Sequence, residues 1–349
     1  ENIMSGPFGS SQWMYNAGGD YEIENSVRIA EGAYLEKNLG AAGNRRTFTV
    51  ALWIKPALST PAAGQNIMFA GADNDYAFRI QINTASQLVA YDYLGGSNQY
   101  QWNLVTNARL RDTNAWYHIV FAYDSTQATN TNRQKFYING SLQTSLATAS
   151  YSSENYDSHF NTDELHVIGD TYSHDGGFDG YFADVWFVDG QALAPTAFGE
   201  VDDTYGHWKP IDTTSITPGS NGIHLDFADS TANAGGIGND ISSNNSDYTP
   251  SGIAVDDQVL DSPTNNFPTF NRLRGRAPTL FEGQLLTETS TNTISRSVDT
   301  TFEPPSGAWY VEVLIKVDGA NSGQNATNVG VANRDFITGD EFKGHESSV

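Results

Sequence analysis

The stretch FYINGSLQTS, residues 136–145, decides the reading of this chain. Phe136, Tyr137 and Ile138 read as a strand, Asn139-Gly140 interrupts it, and Leu142 resumes apolar character. A two-residue type I′ turn needs φ > 0 at both central positions, and Asn followed by Gly tolerates that best. The stretch therefore predicts a tight β-hairpin. The segment before it, WYHIVFAY (116–123), alternates Tyr117, Ile119, Phe121 and Tyr123 against Trp116, His118, Val120 and Ala122. TFTVALWIK (47–55) places Phe48, Val50, Leu52 and Ile54 on one face. YAFRIQI (76–82) sets Tyr76, Phe78, Ile80 and Ile82 against Arg79 and Gln81. Period-two alternation of this kind marks half-buried strands. GYFADVWFVDG (180–190) is apolar on both faces, as a central sandwich strand is. Turn clusters separate these runs: AGADND (70–75), LGGSN (94–98), DSTQATNTN (124–132) and SHDGGFDG (173–180). ALAPTAF (192–198) is the best short helix candidate. The pattern predicts an all-β sandwich or jelly roll with Leu52, Ile54, Ile80, Ile119, Phe121, Val185 and Phe187 buried.

Composition agrees. The chain has 349 residues, with 12% aromatics and 33 glycines, but only 38% hydrophobic residues. That mixture suits a β-rich protein with many turns. The absence of cysteine excludes a disulfide framework, thiolate metal sites and a Cys nucleophile. Lys+Arg is 18 against 41 for Asp+Glu, a formal net charge of −23. Between Phe136 and Asn271 there is one basic residue, Lys209, against 20 carboxylates. Such a surface repels phosphate backbones, which excludes nucleic-acid binding through basic patches. It serves solubility, or it binds divalent cations. No apolar run approaches the length of a membrane span. The opening ENIMSGPFGSSQW has neither a basic n-region nor an apolar h-region, so no export signal is visible in it.

The texture divides the chain into four parts. Residues 1–25 read as an irregular arm and 26–205 as the sandwich. Residues 206–300 form a polar, mostly irregular linker or docking segment in which IHLDF (223–227) is a strand. Phe227, Tyr248, Val259, Leu260, Phe267 and Phe270 are its docking side chains. Residues 301–349 carry strand signals, WYVEVLIK (309–316) and NVGVAN (328–333), that begin a second β-sandwich. Two or three strands do not form a stable domain. The expectation is that 206–349 packs on other subunits or on a continuation of the chain, with a trimer as the oligomer.

Three ordered segments resemble the laminin-G-like branch of the concanavalin A-like lectin/glucanase superfamily. They are FTVALWIKP (48–56), WYHIVFAYD…QKFYINGSLQ (116–143) and LHVIGD…FDGYFADVWFVDGQAL (165–193). The resemblance covers about residues 26–205 and implies a two-sheet jelly roll serving as a binding or structural module. GGDYEIENSVRIAEGAYLEKNLGAAGNRRTFTV (18–50), SDYTPSG (246–252) and DSPTNNF (261–267) resemble segments of marine bacteriophage structural proteins. In those proteins a SPRY-like sandwich follows, and GAWYVEVLIK with NVGVAN (307–333) is similar to its beginning. This implies a non-enzymatic virion component of a tailed phage: a fibre, tail or capsid-decorating protein. The alternatives are a bacterial extracellular or cell-surface carbohydrate-binding module and, last, a glucan hydrolase.

Candidate sites carry two readings each. Laminin-G-like domains often hold one Ca²⁺ at the sandwich rim, which implies a cation at Asp170, Asp175 and Asp179, with Asp163 and Glu164 just before them. Asp73 and Asp75 occupy a second loop. The other reading is that Asp suits turns by bonding nearby N–H groups. For a glycan, Tyr91, Tyr93, Tyr100 and Trp102 flank a Gly-Gly-Ser loop, and Tyr151, Tyr156 and Tyr172 lie in later loops. Sugar rings stack on such faces, while core packing is the competing use. The glucanase pattern Glu-x-Asp-x-x-Glu meets only Glu200-Val201-Asp202-Asp203-Thr204-Tyr205, with Tyr205 in place of the third carboxylate. It reads as a solvated acidic loop. His118 reads as a satisfied sheet residue. The sequons at Asn139, Asn244 and Asn325 matter only in a eukaryotic secretory setting.

Overall fold

The computed structural model describes residues 21–30, 32–95, 99–270, 279–281 and 286–288. In chain order the strands are β1 (Ser26–Ile29), β2 (Tyr34–Asn38), β3 (Thr47–Pro56), β4 (Gln65–Gly71), β5 (Tyr76–Ile82), β6 (Gln87–Leu94) and β7 (Tyr100–Arg109). Then come β8 (Tyr117–Asp124), β9 (Gln134–Ile138), β10 (Ser141–Leu142), β11 (Leu146–Ser150), β12 (Leu165–Ile168) and β13 (Gly180–Asp189). The later strands are β14 (Gly199–Val201), β15 (Trp208–Pro210), β16 (Ile223–Leu225), β17 (Thr249–Ser251), β18 (Gln258–Val259), β19 (Thr279–Phe281) and β20 (Leu286–Glu288). ALAPTAF contributes a single 3₁₀ turn, Pro195–Ala197.

Two eight-stranded antiparallel sheets make the sandwich. The first runs β10-β9-β8-β3-β13-β1-β18, with β16 also paired to β13. The second runs β11-β7-β6-β5-β4-β12-β2-β17. This is an all-β sandwich of two antiparallel sheets, built from the alternating strands read in the sequence. Phe48, Val50, Leu52, Ile54, Phe78, Ile80, Ile119, Phe121, Val185 and Phe187 meet in one core between the sheets. Tyr76, read as inward-facing, is 46% exposed because it opens β5 beyond the end of that core.

The hairpin at 136–145 is architectural. Asn139 has φ 46° and Gly140 φ 75°, and Ile138 pairs with Ser141 across a two-residue turn. Asn139 N–H donates to the His118 carbonyl at 2.9 Å, and Asn139 Oδ1 accepts from His118 N–H at 2.8 Å. The turn is thus clamped to β8. A Cβ on Gly140 would lie 2.4 Å from the Trp208 ring, so only glycine fits beneath that indole.

All ten residues of β13 are buried. Its register against β3 slips between Ala183 and Trp186, and Asp184 there has φ 48°. This bulge keeps Phe182, Val185 and Phe187 in the core while Ala183 and Trp186 join clusters outside it. The polar stretch from 206 to 267 lies against the sandwich: β16 pairs with β13, β17 with β2 and β18 with β1. Phe227 and Tyr248 are fully buried, Val259 packs beside Trp53 and Trp116, and Leu260 is exposed. Arg28 Nη2 pairs with Asp257 Oδ1 at 2.6 Å, and the buried Lys55 Nζ with Asp261 Oδ2 at 2.7 Å.

The chain divides into a unit Gly9–Phe267 and a second unit of Glu1–Phe8 with Pro268–Val349. Within the second unit β19 and β20 pair antiparallel. The arm over 1–20, the strands read at 309–333 and the sequon at Asn325 lie outside the described residues.

Candidate functional site

The strand pattern puts one row of side chains across the outer face of the second sheet. Residues opposite one another in a ladder share a face. The row runs Glu36, Val167, Phe69, Arg79, Tyr91, Asn103 and Ser150 through six strand pairings. Phe69, Val167 and Ala77 form their own small cluster with Tyr34 and Leu165, apart from the sandwich core. Ala77 pairs with Tyr93, which places Tyr93 on this face as well.

Three of the four tyrosine and tryptophan residues singled out in the sequence gather here. The Tyr100 ring meets Tyr91 edge-on, 5.1 Å between centroids at 89°, and lies 5.4 Å from Tyr93. Tyr100 is 47% exposed, Tyr93 half-buried and Tyr91 nearly covered. Trp102 is a correction. It is fully buried and stacks on Phe121 at 5.7 Å and 10°, so its ring is core and closed to a ligand. The register of β7 decides this: Trp102 pairs with Asp92 and faces inward with Leu104, whereas a shift between Asp92 and Tyr93 leaves Tyr100 outward. Tyr151 and Tyr156 pack against the same core.

Arg79 supplies the charge of the face. Its guanidinium lies 5.4 Å from the Phe69 ring centroid, and Nη2 donates to the Asn74 carbonyl at 3.0 Å. Burial pushes the Tyr91 phenol above its ordinary pKa, and neighbouring Arg79 opposes that shift. Arg79 Nε and Asn103 Oδ1, on either side of Tyr91 in the row, are sealed from solvent without a hydrogen-bond partner. A buried unpaired donor and acceptor are the groups an ordered water satisfies.

Towards the rim the face meets a depression of about 400 Å³ lined by Asn38, Ala72, Glu164, Leu165, Tyr172 and His174. Tyr34 and His174 stack at 3.9 Å and 6°, and Asn74 Nδ2 donates to Ser173 Oγ at 2.8 Å. The loops 72–75 and 171–175 are therefore joined there. Arg79, Phe69 and His174 were not singled out as ligand contacts from sequence. The alternation in YAFRIQI already sets Arg79 opposite the core face, and that was the available signal.

The three aspartates proposed for calcium are held differently. Asp170 is fully buried, and its Oδ1 accepts from Thr171 N–H at 2.8 Å and Gly176 N–H at 3.0 Å. Asp175 Oδ1 accepts from Thr171 Oγ1 at 2.8 Å, whereas Asp179 lies at the next turn, its carbonyl accepting from Ala57 N–H. No group of three His, Cys, Asp or Glu converges among the described residues. Asp170 Oδ2 and Asn66 Oδ1 are nevertheless buried without partners, and Asn66 Nδ2 donates to the Gly176 carbonyl at 2.8 Å. Asp170 Oδ1 and Asn66 Nδ2 thus hold Gly176 by its N–H and its carbonyl, while the other oxygen of each side chain stays unpaired. Asp73 Oδ1 accepts from Asp75 N–H and Tyr76 N–H, so that loop is an Asx turn.

Glu200 lies in the short strand β14, not in an irregular loop as its sequence reads. Lys209 of β15 sits 3.6 Å from Glu200 and 3.3 Å from Asp202. Asp202 is held below the usual carboxylate range, first by the Tyr205 N–H, then by Thr204 N–H and Lys209. His118 is buried and its pKa pushed down to about 3; its Nδ1 accepts from Trp208 Nε1 at 3.0 Å.

Residues 30–196 match the laminin-G model of the concanavalin A-like lectin/glucanases superfamily, just under half of the chain. No curated protein matches. Similar solved structures include the SAP-like pentraxin of Limulus polyphemus, at 16% identity and TM-score 0.36, covering 50% of this chain and 80% of that one. The Ruminococcus gnavus IT-sialidase CBM40 bound to alpha2,3 sialyllactose is 14% identical at TM-score 0.34, covering 47% of this chain and 89% of that one. Domains LG4-5 of the mouse laminin alpha1 chain are 13% identical at TM-score 0.34, covering 60% of this chain and 48% of theirs. Likenesses this distant carry no argument about function.

Proposed function

We propose that the sandwich is a non-catalytic glycan-binding module, displayed on the virion of a tailed phage, that uses the outer face of its second sheet. The observation that carries this reading is the grouping of Tyr91, Tyr93 and Tyr100 beside Arg79 on a face left partly open. Tyrosine faces stack on sugar rings, and a guanidinium with buried polar neighbours orients hydroxyl or acidic groups. Glu200 and Asp202 are both engaged by Lys209, which supports a structural rather than hydrolytic role. Display on a virion rests on the resemblance of 18–50, 246–252 and 261–267 to phage structural proteins. A bacterial extracellular carbohydrate-binding module would use the same face, and finding the chain in purified particles separates the two.

A glycan array on the full chain, followed by calorimetry with the best polysaccharide, tests the binding. Substitutions Tyr100→Ala and Arg79→Ala abolish it while melting stays unchanged. Binding that survives both, or an array without any hit, ends the reading. Calcium at Asp170 and Asn66 belongs to the same proposal: added Ca²⁺ after chelation releases heat and raises Tm, and Asn66→Ala removes both effects. Light scattering on the full chain reads the proposed trimer.

A further inference from the structure

Three groups that glycan binding does not use meet beneath the 261–267 stretch. Lys55 on β3 is fully buried, and its Nζ donates to Asp261 Oδ2 at 2.7 Å, Asn266 Oδ1 at 2.8 Å and the Phe267 carbonyl at 3.0 Å. Asp261 Oδ1 accepts from Trp116 Nε1 at 3.0 Å and from Phe267 N–H at 3.3 Å. Asn266 Nδ2 donates to the Asn114 carbonyl at 2.7 Å, which fixes the plane of its carboxamide. Trp53, Trp116 and Tyr181 wall the site, with the Tyr181 ring 5.7 Å from Nζ. A buried amine is thus held in hydrogen-bond contact with a buried carboxyl group and a partly buried carboxamide.

We propose that Lys55 and Asn266 join through an intramolecular isopeptide bond, with Asp261 as the proton carrier. The reaction needs no cofactor and no oxidant. Asp261 takes one proton from the Lys55 ammonium. The neutral amine attacks Cγ of Asn266, forming the Nζ–Cγ bond as the carbonyl electron pair moves onto Oδ1. A second proton passes from Nζ through Asp261 to Nδ2. The electron pair on Oδ1 then reforms the carbonyl, the Cγ–Nδ2 bond breaks, and ammonia leaves. The products are the isopeptide, ammonia and a protonated Asp261, so atoms and charge balance.

The site favours each part of this step. Burial pushes the Lys55 ammonium below its ordinary pKa, against the pull of Asp261, and so brings the nucleophilic amine within reach. Contact already formed in the folded chain removes the entropic cost of bringing the groups together. The link would join residues 211 apart and fasten the end of the unit to a central strand. In a chain without cysteine it does what a disulfide does elsewhere, constraining the unfolded state.

Intact mass spectrometry of the purified, denatured full chain is the test. The expected mass falls short of the sequence mass by one ammonia, and a peptide map joins the Lys55 peptide to the Asn266 peptide. Variants Lys55→Arg, Asp261→Asn and Asn266→Ala restore the full mass. The wild-type map stands by itself should a variant fail to fold. An intact mass equal to the sequence, an ammonia loss mapped to another residue, or a water loss with Lys55 joined to Asp261 each overturns the assignment.

Discussion

The first sheet is packed on both faces. Outside its core lie Trp53, Trp116 and Tyr181 towards one end and Trp186, Val188 and Phe198 towards the other. Ile23, Leu193, Trp208, Ile216 and Val259 cover them. The second sheet packs one face against the core and offers on the other a small apolar cluster, Arg79 and a tyrosine group that reaches solvent at Tyr100. The same alternation built both. What differs is where the chain goes next. The segments 193–216 and 258–267 lie over the first sheet, so its outer aromatics became a second core. On the second sheet Phe69 and Tyr91 are covered by neighbouring side chains, and Tyr100 stayed exposed. An aromatic residue on an outward position is therefore structural or ligand-facing according to its cover, not its type.

The largest expected effect attacks that cover. Asp261→Ala leaves Lys55 buried without its countercharge and also removes the proton carrier of the cross-link, so it costs at least about 3–5 kcal/mol. Denaturant unfolding reads it, and a loss below 1 kcal/mol would show that the tail is a loose attachment.

Acid comes next. His118 and His166 are buried neutral, with pKa values pushed by burial down to about 3 and about 4. His166 Nδ1 donates to the Glu164 carbonyl at 3.0 Å, and Nε2 accepts from Asn161 N–H at 3.1 Å. The unfolded chain titrates its histidines near pH 6.5 and takes protons the folded chain refuses, so stability falls as pH drops below that value. One unit lower, at pH 5.5, each group accounts for a loss of about 1.4 kcal/mol. Melting curves from pH 7.5 to 5.5 check the sign; a flat or rising Tm contradicts it.

Gly140→Ala is smaller. It strains a left-handed turn and pushes Cβ into Trp208, for about 1–2 kcal/mol. Trp208 fluorescence should shift with it, since the indole must move. An unchanged Tm would mean that the cover over β8 yields freely.

The smallest effect on stability belongs to the open face. Tyr100→Ala should change unfolding by no more than about 0.5 kcal/mol. A loss as large as that of Asp261→Ala would place Tyr100 in a second buried layer and erase the contrast between the sheets.

Much of this was legible residue by residue. Period two fixed the inward faces of β3, β5 and β8, and Asn139-Gly140 fixed the turn, because both are local consequences of backbone geometry; β13, apolar on both faces, takes its inward face from its bulged register against β3. The tyrosines at 91, 93 and 100 were legible as candidates because they flank the Gly-Gly-Ser loop. Trp102 was not separable from them, since Tyr100 and Trp102 share a parity in β7 and only the shifted register assigns Trp102 inward. The residues around Lys55 were invisible as a site because they come from β3, the turn before β8 and the 261–267 stretch.

By itself, then, the sequence determined the strands, their inward faces, the opening hairpin and the exclusion of cysteine and basic-patch chemistry. Those follow from side-chain period, turn φ values and composition, which act over a few residues. Tertiary structure alone decided which outer face stays open, that Asp170 and Asn66 share Gly176, and that Lys55 meets Asp261 and Asn266. Those depend on contacts between residues more than a hundred positions apart, which no local pattern encodes.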